Sequence, residues 1–344
     1  MTSVNLFDYT LPDNLIAQRP TSDRSSSRLM LLNRKSGSTG HSGFSSFPDM
    51  LNHGDTLVIN NTKVFPARLM AKRISGAKVE ILLIRQHDGC VWDAYVGGLK
   101  KIKPGETLLI GDGRAELLEK LEGGAARFRF DSGQEVERLT ANFGLVPLPP
   151  YIKRPDGQSG DNDRERYQTV YARSRGSCAA PTAGLHFTDN ILKQIRAKGV
   201  QIIEITLHVG PGTFKPVKSD VIEDHAMDRE HYEISEESAC AINEAKNAGR
   251  RIIAVGSTVT RTLEGVALEN GLIEPGAGST SLYITPGFTF QIVDALLTNF
   301  HLPRSTLLIL VSAFAGRGHV LKAYETAIHE QYRFYSYGDA MFIE

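Results

Sequence analysis

The sequence predicts an α+β protein: an α/β-rich main domain, residues 1–68 and 146–344, carries a small antiparallel β-barrel domain inserted at residues 69–145. Between those two points, short runs alternate apolar and polar residues with turn residues at regular spacing, which is the period of half-buried antiparallel strands. On either side, buried apolar strands alternate with helical spacing, as in α/β layers. The length of 344 residues suits about two domains of roughly 100–200 residues each.

Taken in order, residues 11–16 predict a short helix with proline in its first turn, followed by a basic segment with Arg19, Arg24 and Arg28. Residues 29–32 and 56–59 read as short buried strands. Asn60-Asn61-Thr62 ends the second of these, where side-chain amides either close a turn or hydrogen-bond a base or ribose. In the insert, strands are expected at 79–83, 91–95, 107–110 and 126–130, with Asp112-Gly113 as a hairpin signal. Residues 153–166 are polar and glycine-rich, and predict a segment that is mobile until a partner arrives. Thr188 caps a helix carrying Ile191, Leu192 and Ile195, Gly199 stops it, and 200–205 is a strand. Ser235 caps a helix ending near Gly249, and 251–255 is a buried strand. Gly256-Ser257-Thr258 sits at its carboxyl end, before a helix with Arg261 and Glu264. Residues 305–311 read as another buried strand and 319–332 as another helix.

Thirty-nine basic and 39 acidic residues cancel, which argues against a strongly basic nucleic-acid binder. The distribution is uneven, however. Between Asn61 and Gly105 there are nine basic and three acidic residues, nine minus three leaving six positive charges. These charges form either a local basic face, including Lys63, Arg68, Lys100, Lys101 and Lys103, that contacts phosphates, or an evenly solvated surface. Cys90, Cys178 and Cys240 lie far apart without a C-x-x-C pair, so neither a disulfide framework nor a zinc knuckle is expected. Cys178 reads as a small apolar filler. No leader or membrane-length apolar run is apparent, and a soluble, cytoplasmic monomer is expected.

Two runs stand apart from core texture. Ala179-Ala180-Pro181-Thr182-Ala183-Gly184-Leu185-His186-Phe187-Thr188 is followed, after a helix and a strand, by Thr206-Leu207-His208-Val209-Gly210-Pro211-Gly212-Thr213-Phe214. Each sets a histidine among hydroxyls, small residues and an aromatic. Glycines this dense cost backbone entropy and pack nothing, so they suit a backbone that approaches a ligand closely. The second run lies at the carboxyl end of a strand, where α/β folds bind ligands.

These runs resemble the S-adenosylmethionine:tRNA ribosyltransferase-isomerase family of queuosine biosynthesis. So do, in order, Phe7-Asp8-Tyr9, Ser27-Arg28-Leu29, Asn60 through Leu69, Pro147 through Ile152, Tyr167 through Tyr171, Arg261 through Glu264, Thr298 through Pro303, Val311 through Gly316 and Tyr335 through Met341. The resemblance spans nearly the whole chain and implies a β-barrel set within an α+β, barrel-like main domain. It implies tRNA and S-adenosylmethionine as substrates, with no prosthetic group and no metal. In the implied reaction the ribosyl group moves to the aminomethyl arm of a 7-deazaguanine at the wobble position of the anticodon loop. It isomerises to the epoxycyclopentane ring of epoxyqueuosine, and adenine and methionine leave.

Such a reaction needs a base for an acidified C5′ hydrogen and a proton for departing adenine. Histidine, with an unperturbed pKa near 6.5, suits both tasks. His186 and His208 are the candidates, with His301 third and Asn299 beside it as a substrate contact; a histidine bonded only to backbone is the structural alternative. Phe187 and Phe214 are placed to stack on adenine or cover the sulfonium. Thr182, Thr213 and Thr258 offer hydroxyls, and Gly184, Gly210 and Gly212 offer amides. Arg261 offers a bidentate fork to the methionine carboxylate, or pairs with Glu264 one turn along. Asp339 either reads a guanine-like edge or caps a turn. The chain departs from the family pattern at Asp228, where a histidine is more usual, at Ser257, where threonine is usual, and at Ser281. Other enzyme classes find no support. A glycine-rich loop after the first strand, an H-E-x-x-H pair and a G-x-S-x-G elbow are all missing from the sequence.

Overall fold

The computed structural model describes residues 1–154, 161–210, 212, 217 and 219–344. In chain order its strands are β1 (Arg28–Leu32), β2 (Thr39–Gly43), β3 (Thr56–Asn60), β4 (Thr62–Val64), β5 (Arg68–Lys72), β6 (Lys78–Asp88), β7 (Val91–Val96), β8 (Thr107–Ile110), β9 (Gly113–Lys120), β10 (Ala125–Phe130), β11 (Ser174–Ser177), β12 (Gln201–His208), β13 (Glu230–Ile234), β14 (Ile252–Val255), β15 (Gly276–Thr280), β16 (Ala295–Asn299) and β17 (Ala340–Ile343). The helices are α1 (Gly133–Phe143), α2 (Asp161–Arg166), α3 (Asp189–Ala197), α4 (Glu236–Asn247), α5 (Ser257–Val266), α6 (Thr306–Ala315) and α7 (Arg317–His329).

Nine strands form one mixed sheet in the order β15-β13-β12-β3-β14-β16-β17-β1-β2. Its central strands β3, β14 and β16 are buried end to end, as expected where both faces are covered. Their side chains alternate between two cores. Val58, Ile252, Ala254 and Leu296 join the cluster of α4 to α7, whereas Leu57, Ile59, Ile253, Val255 and Leu297 join α3, Phe44 and Phe47. β17 completes the sheet, running parallel to β1 and antiparallel to β16. The main sheet ends on the edge strands β15 and β2, and closure belongs to the insert.

β12, β3, β14 and β16 run parallel to one another, so their carboxyl ends lie along one edge. There the Asn60 side chain acts as a piece of strand. Its Nδ2 donates to the Leu207 carbonyl at 2.9 Å and its Oδ1 accepts from the Leu207 amide at 3.0 Å. This settles the turn-or-ligand question for Asn60 in favour of β12.

The inserted strands close into a six-stranded barrel in the order β10-β7-β6-β5-β8-β9, filled by inward residues such as Leu69, Ile81, Leu108, Leu117 and Phe128. β9 and α1 were not expected. α1 starts at Ser132, whose Oγ accepts from the Glu135 amide at 3.1 Å, and seals the barrel with Val136 and Leu139. The β8–β9 turn falls on Gly111-Asp112, one residue before the expected dipeptide, because Gly111 takes the positive φ of 58°.

Three further expectations change. The N-terminal helix is a single 3-10 turn, Asp13–Leu15. The run at 305–311 is helical rather than extended: α6 is capped by Ser305, whose Oγ accepts from the Leu308 amide at 3.2 Å. An apolar run buried on all sides carries no period, so only the cap distinguishes helix from strand. Residues 161–166 form α2, and Arg154 reaches Asp163 at 2.6 Å, so this part of the expected mobile segment is ordered; residues 155–160 lie outside the described residues. Among the described residues no single helix is long and apolar enough to cross a membrane.

Candidate functional site

His208, the last residue of β12, stands at the carboxyl edge with its Nδ1 2.8 Å from Thr62 Oγ1. The Thr62 hydroxyl donates onward to the Ser174 carbonyl at 3.4 Å, so it accepts from Nδ1–H and leaves Nε2 as the bare nitrogen. Burial, and secondly the neighbouring His231, hold the His208 pKa below its ordinary value. At neutral pH the ring is therefore a base. Gly176 lies against it, and a Cβ there would come within 2.7 Å of the imidazole.

The ring faces a cavity of about 730 Å³ between the sheet and the barrel. This falls within the roughly 300–1,000 Å³ of small-molecule sites. One wall is His208, Val209, Gly210, Arg229 and His231, and the other includes Ile84, Arg85, Gln86 and Trp92, with Arg175 and Phe65 between them. Val209 also borders a crevice of about 40 Å³ at the start of α5, lined by Thr182, Gly256, Ser257, Thr258, Thr298 and His301. Gly256 enters α5 at φ 94°, which glycine tolerates, and the helix has no side-chain cap. The first amides of α5 are thus left to whatever enters the crevice.

The three candidate histidines do not converge. His301 lines the α5 crevice, with Nε2 held 2.8 Å from Thr298 Oγ1, and burial lowers its pKa to about 3. His186 is in the core. Asn299 Nδ2 donates to its Nε2 at 3.2 Å and its Nδ1 donates to Ser27 Oγ at 2.7 Å, so both nitrogens are committed. Burial lowers its pKa to about 4, and the crevice beside it measures about 20 Å³, room for about one water.

Among the substrate-binding candidates, Thr182 and Thr258 line the α5 crevice and Gly210 lines the large cavity. Others serve packing. Phe187 is fully buried, edge-on to Phe44 at 5.1 Å. The Gly184 amide donates to the Pro181 carbonyl at 2.8 Å, and a Cβ there would meet the Tyr171 hydroxyl at 2.1 Å. Gly212 makes room for Asp228, whose Oδ2 would lie 1.8 Å from a Cβ. Asp339 is a cap: its two oxygens accept from the Arg28 and Arg333 amides, both at 2.8 Å. Asn299 is spent on His186 and on the Tyr335 carbonyl, while its Oδ1 is buried without a hydrogen-bond partner. Thr213 and Phe214 lie outside the described residues.

Arg261 does not pair with Glu264. It forms a buried ion pair with Glu230 of β13, and Glu264 instead accepts from the amides of Gln291, Ile292 and Val293 at 2.7, 3.0 and 2.8 Å. Among the described residues, Nε and Nη1 of Arg261 find no hydrogen-bond partner. Lys63, Lys100, Lys101 and Lys103 are exposed, whereas Arg68 is partly buried 3.5 Å from Glu80. Cys178 is the expected filler, its thiol pushed up to about 12 by burial.

Phe65, Trp92, Arg175, Arg229 and His231 escaped the sequence reading. His231 faces His208 only because β12 and β13 pair in that register, and Arg175 reaches the cavity through the β11–β4 pairing. Neither leaves a local signal.

The profile of a family described as "Queuosine biosynthesis protein" matches residues 4–343. A relative from Desulfitobacterium hafniense, named S-adenosylmethionine:tRNA ribosyltransferase-isomerase, is 52% identical over 340 residues and 98% of each chain. One of the same name from Geotalea uraniireducens is 49% identical over 343 residues and 99% of each chain. The solved structure of S-adenosylmethionine tRNA ribosyltransferase from Thermotoga maritima is 38% identical with a TM-score of 0.56, covering 98% of this chain and 100% of that one.

Proposed function

Because the chain belongs to the queuosine biosynthesis protein family, we propose that the cleft beside His208 is where the ribosyl group of S-adenosylmethionine passes to the aminomethyl arm of 7-aminomethyl-7-deazaguanine at the tRNA wobble position. The chain is an S-adenosylmethionine-dependent tRNA ribosyltransferase-isomerase, with S-adenosylmethionine as co-substrate. The observation that carries the placement is the shared carboxyl edge of β12, β3, β14 and β16. It brings His208, the start of α5 and His301 to neighbouring cavities joined at Val209.

His208 Nε2 takes the C5′ proton that the adjacent sulfonium acidifies, and the resulting imidazolium returns a proton to departing adenine. One residue thus serves as base and then acid, which suits a ring that starts neutral and half-buried. Thr62 fixes its tautomer. The adenosylmethionine lies in the large cavity with its C5′ at His208; Thr182, Thr258, His301 and the first amides of α5 contact the end of it that meets their crevice, and Arg261 offers Nε and Nη1 to the methionine carboxylate. His186 acts through Asn299 as a positioning residue. Lys63, Lys100, Lys101 and Lys103 meet the anticodon-loop phosphates, and residues 69–145 act as a separate domain closing over the RNA. The enzyme is cytoplasmic and works as a monomer.

The test is incubation with S-adenosylmethionine and tRNA bearing the aminomethyl-deazaguanine, following adenine and methionine release beside the mass of the wobble nucleoside. Release of both with the ribosyl-derived mass gain is the expected result. Folded protein that binds the tRNA and gives neither product would overturn the assignment.

A further inference from the structure

We infer that Phe65, Trp92 and Arg175 form the seat on which the extruded wobble purine of the tRNA stacks, at the barrel side of the cleft. The inference rests on the proposed function and adds residues for which that reading gives no role. Phe65 is the floor: it is 3% exposed, and its amide donates to the Ser177 carbonyl at 3.2 Å. The Arg175 guanidinium lies 5.5 Å from the Phe65 ring centroid, and its Nη2 donates to Thr140 Oγ1 of α1 at 3.0 Å. It is therefore held over the ring from both the two-stranded β11–β4 pair and the barrel's covering helix, although the residue is exposed. Trp92 of β7 is partly exposed, with its ring 5.7 Å from Phe65 at 48°. All three line the 730 Å³ cavity that His208 faces. A guanidinium with one side on an aromatic ring and an indole at its flank offers flat, apolar-and-cationic surface, the kind on which unpaired bases stack.

Two purines take part in the reaction, and charge separates them. S-adenosylmethionine carries a sulfonium and an ammonium against one carboxylate, so Arg85 and Arg175 disfavour it at the barrel side of the cavity, and its C5′ lies toward the opposite wall with His208. A nucleotide flanked by phosphates is favoured. Arg85, Arg175 and Arg229 line the cleft against the single acid Glu137. Seating the base at the barrel side leaves the His208 wall, with the α5 crevice that shares Val209, to the cationic co-substrate.

Trp92 is the chain's one tryptophan, so its emission reports on this seat alone. The experiment titrates the wild-type protein with an anticodon stem-loop carrying 7-aminomethyl-7-deazaguanine at the wobble position, reading tryptophan emission and RNA anisotropy together. Emission is expected to fall in parallel with binding. A stem-loop abasic at that position should bind without the quench, and S-adenosylmethionine alone should leave emission unchanged. Trp92→Ala is expected to weaken RNA binding about tenfold to a hundredfold and Trp92→Phe to restore most of it. RNA that binds without quenching, equal quenching by the abasic loop, or quenching by S-adenosylmethionine alone overturns the seat while leaving the reaction standing. Failure of the modified stem-loop to bind, with no adenine release, overturns the reaction and the seat together.

Discussion

His186 and His208 sit in sequence runs of the same flavour, yet the protein makes opposite things of them. Around His186 every polar atom of the ring is answered, by Ser27 and Asn299, and Asp339 caps the chain next to Asn299's partners. Around His208 one ring nitrogen is answered and the other is left facing a cavity large enough for a substrate. The glycines divide in the same way. Gly184 makes room for Tyr171 in a packed core, while Gly176 lets the backbone press against a ring that must stay open on its other side. Local composition announces that a backbone comes close to something; whether that something is a side chain or a ligand is decided by strands far away in sequence.

This contrast can be broken experimentally. The largest effect is expected from His208→Ala: adenine release should fall roughly 10²–10⁴-fold, the usual worth of a positioned general base, with the unfolding midpoint unchanged. An equal loss per folded molecule in His186→Ala would erase the distinction. That variant should instead lose about 2–4 kcal/mol in urea unfolding, because it leaves a cavity and strips partners from buried Ser27 and Asn299.

The same contrast predicts a pH dependence. His186 and His301 are held neutral, with pKa values lowered from 6.5 to about 4 and about 3, so the unfolded chain binds protons that the folded chain refuses. Stability from this source is complete above about pH 6.5 and drains as pH falls toward 4 and then 3, by an amount of order 3 kcal/mol per histidine. Urea melts across that range should slope downward on acidification, and His186→Gln should remove roughly half of the slope between about pH 6.5 and 4.

Gly176→Ala sharpens the contrast from the other side. It should cost about tenfold in kcat by displacing the His208 ring, with little change in KM for tRNA and only modest loss of stability; an unchanged kcat would mean that the ring's orientation is immaterial. Smallest is the effect of neutralising Lys100, Lys101 and Lys103, which should lower the slope of log affinity against log salt by no more than about 2–3. A slope that does not move would place the phosphate contacts elsewhere.

The barrel strands were legible because a half-buried antiparallel strand writes its environment as alternation, and the α/β elements because Thr188 and Ser235 cap helices where they should. β9 was missed because Gly113–Lys120 carries polar residues on both sides of its few inward positions. α6 was misread because uniform burial erases the period. For the candidate site, the sequence pointed to the carboxyl edge of the strands but not to which residues line the cavity there. Phe187, Asp339 and Gly184, read as ligand candidates, stand in packing and capping positions, whereas Arg175, Trp92 and His231 come to line the large cavity through cross-strand neighbours that no local window contains.

β17 joins β16 to β1, and it is the last of these strands to be synthesised while β1 is the first. Throughout translation the sheet therefore exists as two pieces, β1 with β2 on one side and the parallel strands on the other, each with an unsatisfied edge. A ribosome pausing between β16 and β17 holds a chain whose barrel can already close but whose main sheet cannot. Until β17 is made, the nascent protein is thus exposed to mispairing with its neighbours, and a holdase chaperone has a target in its open edges.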